Sequence, residues 1–201
     1  MIGDLLFGII QQRRSVRSYN TQPIPDDVLA RLLEAAHWAP SAHNRQPWRL
    51  VVLKSADSRQ RLALAMAERL RLDLRADGVP EEKIAYDVGR SQRQITQSAA
   101  AVVLCLMMAD MDVYLDPQRQ LAERQMSVQS VALAGQNLLL MASASGLGAC
   151  WMCAPLFCPD VVREVLQLAA DWEPQALITL GYPAEAPQKT RAPLETRVLW
   201  R

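Results

Sequence analysis

Three arginines fall within five residues in Arg13-Arg14-Ser15-Val16-Arg17, and no acid follows before Asp26. In an extended segment Arg13, Ser15 and Arg17 share one face. Guanidinium forks beside a serine hydroxyl suit a phosphate; the plainer alternative is a solvated basic turn. A second stretch, H-W-A-P-S-A-H-N-R-Q-P-W-R from His37 to Arg49, sets Ser41, His43, Asn44 and Gln46 among two prolines and two tryptophans. Pro40 and Pro47 fix their own φ and push Ala39 and Gln46 towards extended backbone. A stiff, extended loop of this kind presents donors and acceptors to a flat polar ligand. An ordered surface loop that binds nothing is the competing reading.

Other catalytic sets are weaker. Ser41 and His43 are too close in sequence for a nucleophile and its base without a strained turn, and no orienting acid is evident. With two histidines in the chain, metal-assisted hydrolysis fits poorly. Cys150, Cys153 and Cys158 have the spacing C-x2-C-x4-C, which admits a non-catalytic metal- or redox-sensing module. A closed zinc site needs four ligands, and the remaining cysteine, Cys105, sits in an apolar strand. Small, reduced, buried thiols are the simpler reading. G-L-G-A-C-W lacks the third glycine of a dinucleotide fingerprint and follows a helix, and there is no P-loop. Anion-binding arginines and a polar, aromatic loop without an acid, base or nucleophile fit a protein whose cofactor does the bond chemistry.

These stretches need elements to hold them. At 201 residues, 50% hydrophobic and 21% charged, the chain reads as one globular domain, 1–201. Its net charge of +1 excludes general nucleic-acid or anionic-membrane affinity. The start Met1-Ile2-Gly3-Asp4 lacks a basic n-region and no apolar run spans a bilayer, so the expected location is cytoplasmic. Helices are expected over Asp4–Gln12, Asp26–Ala36, Ala56–Leu74, Glu81–Gln97 and from Cys158 to Leu168. Strands are expected over Leu50–Leu53, Ala99–Met107, Ala149–Met152 and Pro174–Gly181. The helical excursion 55–97 either covers the sheet or acts as a lid. Arg119–Ser145 reads as one long helix, apolar on nearly every side and therefore buried on all sides. Gly135 would let another backbone approach it. That helix is expected to form the spine of the fold and part of a dimer interface. The tail 183–201 turns polar and extended, then ends in Val198-Leu199-Trp200, which should dock on a surface such as another subunit.

The chain resembles the FMN-dependent nitroreductase family. The resemblance rests on four motifs in order: R-R-S-V-R-S-Y, A-P-S-A-H-N-R-Q-P-W, the long apolar helix into G-L-G-A-C-W-M, and L-G-Y-P followed by K-T-R-A-P-L-E. It implies an α+β fold with a central mixed, largely antiparallel sheet flanked by helices, in an intertwined homodimer with FMN at the interface. By motif match, Arg13, Arg14, Ser15 and Arg17 would meet the FMN phosphate and ribityl chain, joined by Lys189 and Arg191. Pro40, Ser41, Ala42 and Asn44 would reach the flavin from the other subunit. The backbone of Cys150, Trp151, Met152 and Cys153 would pass near the flavin N5. The implied activity is reduction of a flat, electron-poor substrate such as a nitroaromatic or quinone, driven by NADH or NADPH. The family also includes dehalogenation, flavin cleavage and deazaflavin-cofactor synthesis. Two departures stand out. Cys153-Ala154 replaces a glutamate-glycine pair of some members. Ser91 and Gln94 fall where some relatives place asparagine and lysine contacts.

Overall fold

The run A-A-V-V-L-C-L-M has no polar alternation, and a strand of this kind must be covered on both faces. The computed structural model, which describes residues 1–201, places it at the centre. The sheet has four strands: β1 (Trp48–Leu53), β2 (Ala100–Met107), β3 (Gly148–Met152) and β4 (Trp172–Gly181), in the order β1-β2-β4-β3. All three pairings are antiparallel. The expected mixed character is confined to a single parallel bridge, Ser15 to Ala149. The β2–β4 register shifts between Leu104 and Cys105, opposite Pro174, which has no N–H to give to the ladder.

Successive residues of β2 point to opposite faces. Ala100, Val102, Leu104 and Leu106 join one core cluster with α2 (Asp26–His37) and α5 (Pro117–Ala144). Ala101, Val103 and Cys105 join a second cluster with α3 (Ala56–Ala76) and α6 (Pro159–Leu166). A third cluster fastens α4 (Glu81–Thr96) to α3 through Ala67, Ile84 and Val88. The excursion 55–97 is thus a helical layer over one sheet face, with Leu62, Ala63 and Met66 in the core.

The long helix is covered on one side only within a single chain. Glu123, Ser127, Ser130, Val131, Ala134, Gly135, Leu138, Leu139 and Ala142 of α5 are buried, but Leu121, Val128 and Leu133 on the other side are exposed. One chain supplies neighbours for one face only. The Gly135 expectation is corrected. A Cβ built there would lie 2.2 Å from the Trp151 ring and 2.8 Å from Leu104 Cδ1. The gap admits a side chain of the same chain, not a second backbone.

The first helix, α1 (Ile2–Gln12), buries none of its residues; Leu5, Leu6 and Phe7 are exposed. The tail end does not dock on its own chain either, since Leu199 and Trp200 are exposed. No helix is long and apolar enough to cross a membrane.

On an open helix surface, glycine to alanine stabilises by about 1 kcal/mol. At Gly135 the sign should reverse, because overpacking costs about 1–3 kcal/mol and the rigid indole must move. Gly135→Ala should therefore lower Tm. A thermal melt that shows a gain would refute the Trp151 contact.

Candidate functional site

The basic segment is pinned between two elements far from it in sequence. Ser15 bridges Ala149 on β3, and the Val16 N–H donates to the Ala149 carbonyl at 3.0 Å. Further along, Asn20 N–H donates to Tyr182 O (3.0 Å) and Ala184 N–H to Ser18 O (2.9 Å). Two glycines allow this approach. A Cβ on Gly148 would lie 2.7 Å from Val16 Cγ1, and one on Gly181 would lie 2.9 Å from the Tyr19 ring. Buried Tyr19 donates to Val16 O at 2.6 Å and pairs with Thr179 Oγ1 at 2.8 Å. Burial raises its pKa well above the ordinary phenol value, against the Thr179 hydroxyl, which lowers it.

Arg13, Arg14, Gly148, Ala149, Ser143, Glu185 and Gln188 are among the residues lining a cleft of about 390 Å³. The arginines are not equivalent. Arg14 donates to the carbonyls of Gln11 and Arg13 at the end of α1, a favourable place for a cation. Arg17 is exposed and donates to Ser15 O at 3.3 Å. Arg13 makes no side-chain hydrogen bond or ion pair and is the guanidinium left free to meet an anion. Glu185, which the sequence did not single out, accepts from the N–H groups of Arg17 (2.6 Å) and Ser18 (3.2 Å). Lys189 and Arg191 lie just beyond Gln188, exposed and without an ion pair; Arg191 donates only to Thr190 O.

Strand β3 is a sheet edge. The Ala149 carbonyl points outward to Val16, so alternation turns the N–H of Trp151 outward as well. Only the Ser15 bridge covers that edge, so the Trp151 amide is a ready donor. Trp151 Nε1 reaches Cys153 Sγ at 3.1 Å. Gln94, one of the two mid-chain candidates, is buried and donates to Thr179 Oγ1 at 3.3 Å; its amide serves the core.

The loop before β1 is not extended. Ala42–Asn44 forms a 3-10 turn, and His43, Asn44 and Gln46 all have positive φ, at 51°, 53° and 52°. The residue before Pro47 thus takes the left-handed region rather than the extended one. Hydrogen bonds hold it there: Gln46 N–H donates to Ser41 Oγ at 3.0 Å and Gln46 Nε2 to Asn44 O at 3.3 Å. Ala42 N–H donates to Ser130 Oγ of α5 at 3.1 Å. Pro40 is exposed, as is Trp38, while Trp48 is in the core, so only one indole borders the loop's open side.

The profile of the nitroreductase family matches residues 10–182. The chain belongs to the nitroreductase family. It is 31% identical to an NADH dehydrogenase of Thermus thermophilus, over 94% of this chain and 93% of that one. It is 30% identical to a 5,6-dimethylbenzimidazole synthase of Rhodospirillum rubrum, over 90% and 83%. Among solved structures, a nitroreductase of Desulfovibrio desulfuricans in complex with FMN matches at 25% identity with a TM-score of 0.76, covering 98% of this chain and 96% of that one. The nitroreductase-like α+β fold read from the motifs is the one observed.

The cysteines divide by environment. Burial pushes the Cys105 thiol up to about 12 and the Cys158 thiol to about 11; Cys150 is buried and Cys153 is exposed. Their sulfurs do not converge as a ligand group. Thiolates are the reactive species, so a thiol reagent at pH 8 should label Cys153 first, and all four only after denaturation. Unfolded thiols ionise near the ordinary 9.0 while folded Cys105 and Cys158 keep their protons. The stability this gives is complete below pH 9 and declines as pH rises towards 11–12. Melts across that range should show Tm falling; a flat profile would sink the burial argument.

Proposed function

We propose that this nitroreductase-family chain is an FMN-dependent oxidoreductase. It takes electrons from NADH or NADPH and passes them to a flat, electron-poor acceptor such as a nitroaromatic or quinone. The observation that carries this reading is the pinning of Arg13–Arg17 between β3 and the start of the tail. A free guanidinium and an outward amide donor thereby share one sheet edge. The donor set fits the cofactor: Arg13, with Arg14 and Ser15, offers cation and hydroxyl to a phosphate, and Arg17 extends the positive field. Glu185 opposes an anion, but it is engaged by two backbone amides. FMN, when bound, would accept and release the hydride. The chain's part is to orient it: Trp151 N–H, flanked by Cys150, Met152 and Cys153, would donate to the negative charge that reduction creates. Lys189 and Arg191 would close over the phosphate from the tail.

The loop residues Pro40, Ser41, Ala42 and Asn44 belong to the β1 edge, while the arginines belong to the β3 edge. Three strand spacings, about 14 Å, separate the two. We therefore assign the loop to a ligand held by a second copy of the chain. The exposed apolar residues of α1, the outer face of α5 and Leu199-Trp200 support a homodimer, since apolar surface of this extent marks an interface. Flavin cleavage is the second reading, favoured by the 30% identity to a 5,6-dimethylbenzimidazole synthase over 90% of the chain.

The test is an absorbance spectrum after FMN addition and desalting, repeated anaerobically with each nicotinamide. Retained flavin that bleaches quickly supports the reductase. Retained flavin that stays oxidised moves the weight to cleavage. Arg13→Glu and Arg17→Glu should each weaken FMN retention about tenfold or more, the scale of one charge-assisted contact. Wild-type retention in both would overturn the phosphate assignment.

A further inference from the structure

Three ligating side chains from different parts of the chain meet where the loop touches α5. One donor atom from each of His43, Asp112 and Glu123 lies within 4.8 Å of the others. Glu123 is the telling member. It is 1% exposed on the inner face of α5. Its Oε1 accepts a single long bond from the Asp112 N–H, 3.3 Å, and its Oε2 has no partner. Burying a carboxylate this way is strongly unfavourable unless a cation meets it. The nearby arginines do not: Arg45 pairs with Asp112 Oδ1 and Arg49 with Asp110. The groups that face Glu123 are another carboxylate and an imidazole.

We propose that His43, Asp112 and Glu123 form a binding site for a divalent first-row transition cation of the zinc type. One imidazole nitrogen and two carboxylate oxygens suit such an ion and disfavour magnesium or calcium, which take oxygen ligands alone. Three protein ligands leave a fourth position for water. Ligand atoms around tetrahedral zinc stand about 3.4 Å apart, so binding draws the three together by no more than about 1.4 Å. The second oxygen of Asp112 remains available while Oδ1 keeps Arg45. Exposed His43 gives the ion a way in from solvent. The ion would clip the loop Ala42–Gln46 to α5 beside the Ala42–Ser130 hydrogen bond. It would act on loop geometry and does not depend on what the loop binds.

The test uses the full chain as purified, treated with chelator and then dialysed against micromolar zinc chloride, with bound metal read by elemental analysis. Wild type should take up about one zinc per chain and gain Tm. His43→Ala and Asp112→Asn, at surface or half-buried positions, should each weaken uptake at least tenfold and lose the gain in Tm. Cys153→Ser should keep both. No uptake, uptake unchanged in His43→Ala, or uptake abolished by Cys153→Ser would overturn the proposal. Flavin content, measured on the same samples by absorbance, reports separately on the cofactor reading.

Discussion

The structure turns on a strand that must be dry on both sides. Every residue of β2 from Ala100 to Leu106 is buried, so the chain has to supply two apolar covers, α2 with α5 on one face and α3 with α6 on the other. Layers built this way leave β1 and β3 as the sheet's edges, and both candidate binding segments follow from that. The loop Pro40–Gln46 feeds directly into β1, while Arg13–Arg17 lies along β3. Three small gaps make the second placement workable. Glycine at 148 admits Val16, at 181 admits Tyr19, and at 135 admits Trp151. Each is a point where one extra carbon would push the functional edge outward.

Much of this was legible in the sequence because it depends on local periodicity. The all-apolar run of β2, the acid-led start of α2 and the length of α5 each came within about two residues of their observed limits. The position of the basic segment beside G-L-G-A-C-W-M was readable only through resemblance, since nothing local in R-R-S-V-R says which strand it meets. Two features were not legible. The loop reads as extended because Pro47 biases the residue before it, but Ser41 and Asn44 hold Gln46 in the opposite region. Glu123 sits among helical polar residues and looks solvated; only its place on the inner face of α5 reveals its burial.

The candidate site divides its labour between rigid and less rigid parts. Trp151 is held by β4 on one side and by α5 through Gly135 on the other, so its outward amide has a fixed direction. Tyr19, with hydrogen bonds to Val16 and Thr179, clamps the far end of the basic segment to the same sheet. Glu185 ties the tail to the middle of that segment. These contacts hold the basic segment to a narrow geometry, with the Glu185 carboxylate engaged by two backbone amides.

The near end of the segment is held differently. Arg13 is the C-terminal capping residue of α1, and its own N–H donates to Ile9 O. An 11-residue helix with no fully buried residue, half-buried only at Gly8 and Ile9, falls below the length at which helices persist alone in water. The free guanidinium thus hangs from the least anchored helix in the molecule, while its neighbours two residues on are bolted to the sheet. Any partner surface that settles on α1 would also set the aim of Arg13. On the proposed function, a dimer that covers α1 would make cofactor affinity depend on protein concentration, so that dilution alone would loosen it.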